Sequence, residues 1–291
     1  MWLPCFQPII FFRCSSVMKF ATTLLPLLAG ASAFCIHSPV MRRAAGGLDD
    51  ANKFNYTGLG GPLNWYGLDE ANEACAKGKH QSPIVIDSAA IDYAASGSLK
   101  LDLPLADGSK LENLGFGLQV TLTNGSLTAN SKTYTLAQFH FHTPSEHHVN
   151  EEHFPMEVHF VFQTAAKETA VVGFFFQLSE VGDSVPLFDS VFAPIDNIPD
   201  AGTSTTTGQL DFGGLLDHFN RHGVYQYTGS LTTPPCTEEV MWNLSTEPLP
   251  LTVQGYNKVK KIIKYNARYT QNALGQDNLL EVAAQKLNSI R

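Results

Sequence analysis

Three histidines dominate the chemistry open to this 291-residue chain. His140 and His142 stand two apart in Gln138-Phe139-His140-Phe141-His142, and His159 follows in Glu157-Val158-His159-Phe160. Side chains alternate along a strand, so residues two apart face one side. Two antiparallel neighbours can therefore bring three imidazoles to one point. Three nitrogen ligands leave the fourth tetrahedral position open, the arrangement of a catalytic rather than a structural zinc. Gln138 lies two residues before His140, and Glu157 two before His159, each on its histidine's face. Each can accept the second ring N–H and fix the tautomer. A His-x-His pair is weak evidence by itself, because His80, His147, His148, His153, His218 and His222 compete for the role. The residues alone leave two alternatives open: histidines without metal, and Glu157 as a surface ion-pair partner.

The elements that must hold these residues are strands. Tyr134 to His142 alternates, and Met156 to Gln163 is an apolar strand beyond a loop that begins at Thr143-Pro144. Thr169 to Leu178 contains the continuous apolar run Val171 to Phe176, expected of a strand buried on both faces. Gly117 to Leu122 alternates and ends at Asn124-Gly125, a strand followed by a hairpin turn. Thr203 to Gly208 reads as a loop or edge strand, and Asn52 to Gly67 as an extended arm on the body. Helical signals are fewer: Gly214 to Arg221, and Gln254 to Ala267. Residues 48–291 show no internal repeat and no low-complexity linker, so they read as one sheet-dominated domain with peripheral helices.

Composition narrows the function classes. Lys and Arg number 19 against 27 Asp and Glu, a net charge of -8. The first 47 residues hold four of the basic residues and no acidic one, leaving the body at -12. Such a body is poorly matched to a phosphate backbone, which argues against nucleic acid as a partner. A 44% hydrophobic content excludes disorder. Lys19, the apolar run from Phe20 and Ala31-Ser32-Ala33 form a secretory signal over residues 1–33, with initiation at Met18 as an alternative start. The apolar run is too short to span a bilayer, so no stable membrane anchor is expected. Arg42-Arg43 reads as a dibasic site closing a propeptide over 34–43, or as a basic linker. That processing removes Cys5, Cys14 and Cys35. Cys75 and Cys236 remain, either paired in an oxidising compartment or left as two buried thiols. Asn55, Asn124 and Asn243 head Asn-x-Ser/Thr sequons, candidate glycan sites in a secreted chain.

The histidine motifs stand among others. Gln138-Phe139-His140-Phe141-His142, Ser145-Glu146-His147 and Glu157-Val158-His159 resemble the α-class carbonic anhydrases. So do Gly229-Ser230-Leu231-Thr232-Thr233-Pro234-Pro235-Cys236 and Glu239-Val240-Met241-Trp242. The resemblance extends to Asn55-Tyr56, Gly61-Pro62, Trp65, Gln81-Ser82-Pro83 and Asn266-Ala267-Arg268, nearly all of residues 52–272. It implies one mainly β domain with a large, mostly antiparallel, twisted central sheet of about ten strands and peripheral helices. It implies reversible hydration of carbon dioxide to bicarbonate by zinc-bound hydroxide, with weak hydrolysis of activated esters as a side activity. His140, His142 and His159 would hold Zn2+. Thr232 would accept the hydroxide proton and Glu146 would accept from Thr232. Val161, Val171, Leu231, Val240 and Trp242 would form the wall against which carbon dioxide sits. Gln138, Glu157 and the backbone carbonyl of Asn266 would orient the ligands, and Tyr56 would order water. His147 matches a buried histidine near Glu146. The secreted members of the family carry a single disulfide that Cys75 and Cys236 match, which implies an extracellular or cell-wall location. No oligomeric state is implied.

One position departs from the family. Its efficient members carry a proton-shuttling histidine in Asn-x-Gly-His, and here the stretch is Asn113-Leu114-Gly115-Phe116. Phenylalanine carries no proton, so turnover should depend on buffer. A binding-only relative would have lost zinc ligands, and none is lost here. A different zinc hydrolase would carry His-Glu-x-x-His, which is absent.

Overall fold

The computed structural model describes residues 54–290. The expected signal sequence, the Met18 start, the propeptide and the Arg42-Arg43 site lie outside the described residues. Nine strands form the path of the main sheet: β1 (Asp92–Ala94), β2 (Lys110–Asn113), β3 (Leu118–Thr121), β4 (Lys132–His142), β5 (Met156–Gln163), β6 (Thr169–Leu178), β7 (Ser204–Thr206), β8 (Val224–Ser230) and β9 (Glu238–Ser245). They are ordered β7-β2-β3-β4-β5-β6-β9-β8-β1. Leu249–Leu251 pairs with β6, Ser126–Ala129 with β4, and Lys100–Asp102 with Ser126–Ala129, which brings the sheet to twelve strands. Only the pairings of β6 with β9 and with Leu249–Leu251 are parallel in this sheet. The mostly antiparallel expectation holds. Thr203 to Gly208 resolves as edge strand β7.

β5 shows how the sequence divides the fold. All its residues except Gln163 are buried. Val158, Phe160 and Phe162 enter the larger core, where Phe139 stacks on Phe160 with ring centroids 4.7 Å apart. Helices Pro186–Phe192, Gly213–Arg221 and Val253–Ile263 close that core with Phe188, Leu215 and Val259. Each such buried side chain is worth about 1.5–3 kcal/mol relative to exposure. Glu157, His159 and Val161 alternate with the core residues and therefore face the other way. One strand thus builds the core with one face and the site with the other.

Three sequence expectations need correction. The helix expected over Gln254 to Ala267 ends at Ile263; Lys264 turns out of it at φ 66°, and Asn266 to Arg268 run buried beneath the site. The segment leading to Gly67 is not a plain extended arm. Its described part has a 3-10 turn at Gly58–Gly60 and a helical turn at Trp65–Leu68, because the buried Trp65 indole N–H binds the carbonyls of Asn55 and Gly60. Asn243 is no glycan site in this fold. It is fully buried in β9, its Nδ2 donating to the Val171 carbonyl and its Oδ1 accepting from Gln226. Asn55 and Asn124 are exposed. The sequence reading also passed over the helices Pro186–Phe192 and Leu279–Ser289.

Cys75 and Cys236 form a disulfide across 161 residues and pack with Trp65. The bond fits an oxidising environment. No described helix is long and apolar enough to cross a membrane.

Candidate metal centre

His140 on β4 and His159 on β5 are direct register partners, and His142 follows two residues along β4. The three ring centroids lie 5.0, 5.2 and 4.6 Å apart, and one nitrogen from each ring can lie within 4.8 Å of the others. Hydrogen bonds choose which nitrogen is free. His140 Nδ1 donates to Gln138 Oε1 at 2.8 Å, His142 Nδ1 to the Asn266 carbonyl at 2.8 Å, and His159 Nε2 to Glu157 Oε1 at 2.7 Å. The lone pairs left over are therefore Nε2 of His140, Nε2 of His142 and Nδ1 of His159. His142 Nε2 is buried without a partner. An orphaned buried acceptor costs about 1–3 kcal/mol, and a tetrahedral Zn2+ on three imidazoles would remove that cost. The donor set fits zinc.

Electrostatics favour the same state. Burial first, and the neighbouring histidines second, hold His140 well below the ordinary imidazole range. Burial also lowers His142, against the opposing charge of Glu146. Neutral imidazoles are what a metal needs. Burial alone would raise Glu157, but electrostatic attraction to His147 and His159 and the hydrogen bonds they donate outweigh it and hold the carboxyl well below its usual range. Glu157 accepts four N–H groups. His147 Nδ1 and His159 Nε2 reach Oε1, and the backbone amides of Glu146 and His147 reach Oε2 at 2.8 and 3.0 Å. It is no surface ion-pair partner.

Glu146 is buried beside His142, with Oε1 accepting the Arg268 amide at 2.9 Å. Its Oε2 has no partner, so the hydrogen bond expected from the buried Thr232 hydroxyl is not made at that oxygen. Tyr56, Phe116, Gln138, His140, His142 and Asn266 line one cleft of about 220 Å³. Phe116 follows Gly115, whose φ of 83° makes the turn, and packs on Phe54 at 4.5 Å between centroids. The Tyr56 hydroxyl is buried and unpartnered; burial first, and the charge of Glu146 second, raise it well above 10. Val161, Val171, Val240 and Trp242, with the half-buried Leu231, do not line this cleft. They form a separate apolar cluster that meets the triad where the Trp242 ring lies 4.8 Å from His159. A larger groove of about 550 Å³ reaches Leu231 and Val240 but none of the three histidines.

Some site residues had no sequence role. Arg268 is buried, with its guanidinium on Gln81 Oε1 and the carbonyls of Ser82 and Cys75. Burial pulls it down to about 10, so it stays charged at neutral pH. Gly173 stands opposite His159 on β6, and a Cβ there would lie 2.4 Å from Leu244 Cδ2. A glycine inside an apolar strand was the available signal.

A profile of the eukaryotic-type carbonic anhydrase family matches residues 60–286. A carbonic anhydrase of Neisseria gonorrhoeae is 36% identical over 191 residues, covering 65% of this chain and 72% of that protein. The α-carbonic anhydrase of Thermovibrio ammonificans, solved with the inhibitor sulfanilamide, superposes with a TM-score of 0.69 at 32% identity, covering 77% of this chain and 96% of that one. Dioscorin dioA3 of Dioscorea japonica is 29% identical over 229 residues, covering 76% of this chain and 81% of that protein. With the profile spanning most of the chain and the triad intact beneath it, the chain belongs to the α-class carbonic anhydrases, zinc lyases that interconvert carbon dioxide and bicarbonate.

Proposed function

We propose that Thr232 and Glu146 orient the nucleophile, and that Val161, Val171, Leu231, Val240 and Trp242 seat the carbon dioxide it attacks. Zinc on the three imidazoles supplies the Lewis acidity that makes water nucleophilic near neutral pH. The chain's own residues do the rest. Glu146 Oε2, buried and unpartnered, is an acceptor available to the Thr232 hydroxyl. Thr232 donating there must offer its lone pair to the attacking oxygen, which turns that oxygen's free lone pair toward carbon. The apolar cluster at His159 suits a substrate with no hydrogen to donate. The unpartnered His142 Nε2 is the observation that carries the reading.

Proton exit is the weak step. Among residues lining the Phe116 cleft, only Tyr56 and the ligands His140 and His142 titrate. Tyr56 is raised well above 10 and keeps its own proton near neutral pH, so it does not release one as a shuttle must. Protons therefore leave to the buffer. The disulfide supports secretion, with Asn55 or Asn124 carrying any glycan and the amino-terminal 33 residues removed. Stopped-flow hydration of carbon dioxide, with zinc content measured on the same sample, tests the site. Chelation should abolish turnover and zinc restore it, and diluting the buffer should slow it. Full zinc occupancy without hydration would sink the assignment of Thr232 and the apolar wall. Turnover indifferent to buffer concentration would sink the account of proton exit.

A further inference from the structure

Among the described histidines outside the triad, His218 and His222 stand closest together. Their ring centroids lie 4.5 Å apart, with the ring planes at 40°. Within the triad, His142 and His159 lie 4.6 Å apart at 45°. The spacing that lets two imidazoles share one metal ion there recurs here, on the opposite side of β6 from β5 in the sheet order. His148 and His153, partners across a short hairpin, are wider at 5.9 Å. Neither His218 nor His222 takes any part in the hydration chemistry described above.

Three elements fix the pair. Both residues sit at the end of the helix Gly213–Arg221, and the His222 amide donates to the His218 carbonyl at 3.2 Å. The chain then enters β8 at Val224, whose register partner is Ser245 on β9. Ser245 Oγ and the Glu247 carbonyl lie 3.2 and 3.0 Å from His218 Nε2. A carbonyl only accepts, so Nε2 carries the hydrogen and Nδ1 keeps its lone pair. The Asn266 carbonyl orients His142 in the same way, and metal-binding imidazoles are commonly held so. Burial first holds His218 below the ordinary imidazole range, so the ring is neutral at neutral pH. His222 is half-buried and reaches solvent. The carbonyl end of a helix carries partial negative charge, which favours a cation. Arg221, the residue before His222, is paired with Asp217 at 3.3 Å.

We propose that His218 and His222 form a second metal site, open to solvent, for a divalent first-row transition cation. Imidazole nitrogens suit several such ions, and Cu2+ binds them most tightly. Two ligands from the chain leave the remaining positions to water, so the ion exchanges with solvent. The site stands on its own geometry and does not depend on what the triad binds.

The test uses the zinc-loaded full chain, with Cu2+ as the probe. Substoichiometric Cu2+ is paramagnetic and should broaden the imidazole signals of His218 and His222 before those of His148 and His153 in proton–nitrogen spectra. Copper should be retained through dialysis while zinc content stays unchanged. His222→Gln should lose the retained copper, and His148→Gln should keep it. Both variants should unfold at the wild-type urea midpoint when copper is absent. A wild type that retains no copper would overturn the proposal without any variant having to fold. So would broadening that begins at His148 and His153, or copper gained only as zinc is released. A His222→Gln protein that retains copper as the wild type does would overturn it equally.

Discussion

Glu146 Oε2 is the residue-scale detail with the most chemistry in it. A carboxylate oxygen buried without a partner is expensive, and it is retained beside a triad that needs its nucleophile oriented. Thr232→Ala should therefore lower kcat/KM about 100-fold, the scale seen when one preorganised hydrogen-bonding group is lost. Zinc content should be unchanged, because Thr232 holds no ligand. Equal loss of zinc and activity would make Thr232 a structural residue instead. Phe116 gives the converse case. Phe116→His places a proton acceptor on the wall of the cleft that Tyr56 and His140 share. In dilute buffer it should raise kcat roughly tenfold, and in concentrated imidazole buffer it should change little. An unchanged rate in dilute buffer would show that protons already leave by another route.

At the scale of elements, β6 is packed closely between β5 and β9 beside the site. Gly173 lies opposite His159, and the Leu244 side chain from β9 occupies the space a Cβ would need. Gly173→Ala should cost about 1–3 kcal/mol by overpacking. His159 Cδ2 would lie 3.5 Å from the new Cβ, an ordinary van der Waals contact, so zinc binding should change little. Urea unfolding of the zinc-free protein would read the loss of stability and zinc titration the retained affinity, and a variant as stable as the wild type would contradict the packing argument. Much of this architecture was legible beforehand. Strand periodicity placed His140, His142 and His159 on one face, and the two-residue offsets of Gln138 and Glu157 gave their partners. What periodicity could not give was tertiary. The Asn266 carbonyl reaches His142 because the helix Val253–Ile263 stops where it does, and a helix running to Ala267 would have carried that group away. Likewise, Arg268 acts through partners more than 60 residues distant in sequence, which no local pattern reports. Asn243 shows the reverse failure: its sequon is local, and its burial is not.

The whole molecule must keep polar residues buried at one face of its sheet, and two global predictions follow from how it does so. The disulfide closes a loop that spans 161 residues and ties Cys75, whose carbonyl receives Arg268, to the chain just beyond Thr233. Cys75→Ser with Cys236→Ser should lower stability by about 2–5 kcal/mol, read as a fall in the urea midpoint. The second prediction concerns acid. His140 and His142 have folded-state values below the ordinary 6.5. As pH falls below 6.5, the unfolded chain binds protons that the folded zinc-free chain refuses. Stability should therefore be fully present above 6.5 and be lost on acidification, at about 1.4 kcal/mol per pH unit for each such group. His148 and His218 are shifted the same way but are partly exposed, so solvent screening reduces their share. Glu157, lowered from 4.5, adds a loss of the same sign in stronger acid. His142→Gln should flatten the slope between pH 6.5 and the lower folded-state values while keeping the hydrogen-bonding volume. A zinc-free wild type whose urea midpoint is level from pH 7 to 5.5 would mean that the triad accepts protons in place, and the neutral, metal-ready state described here would be wrong.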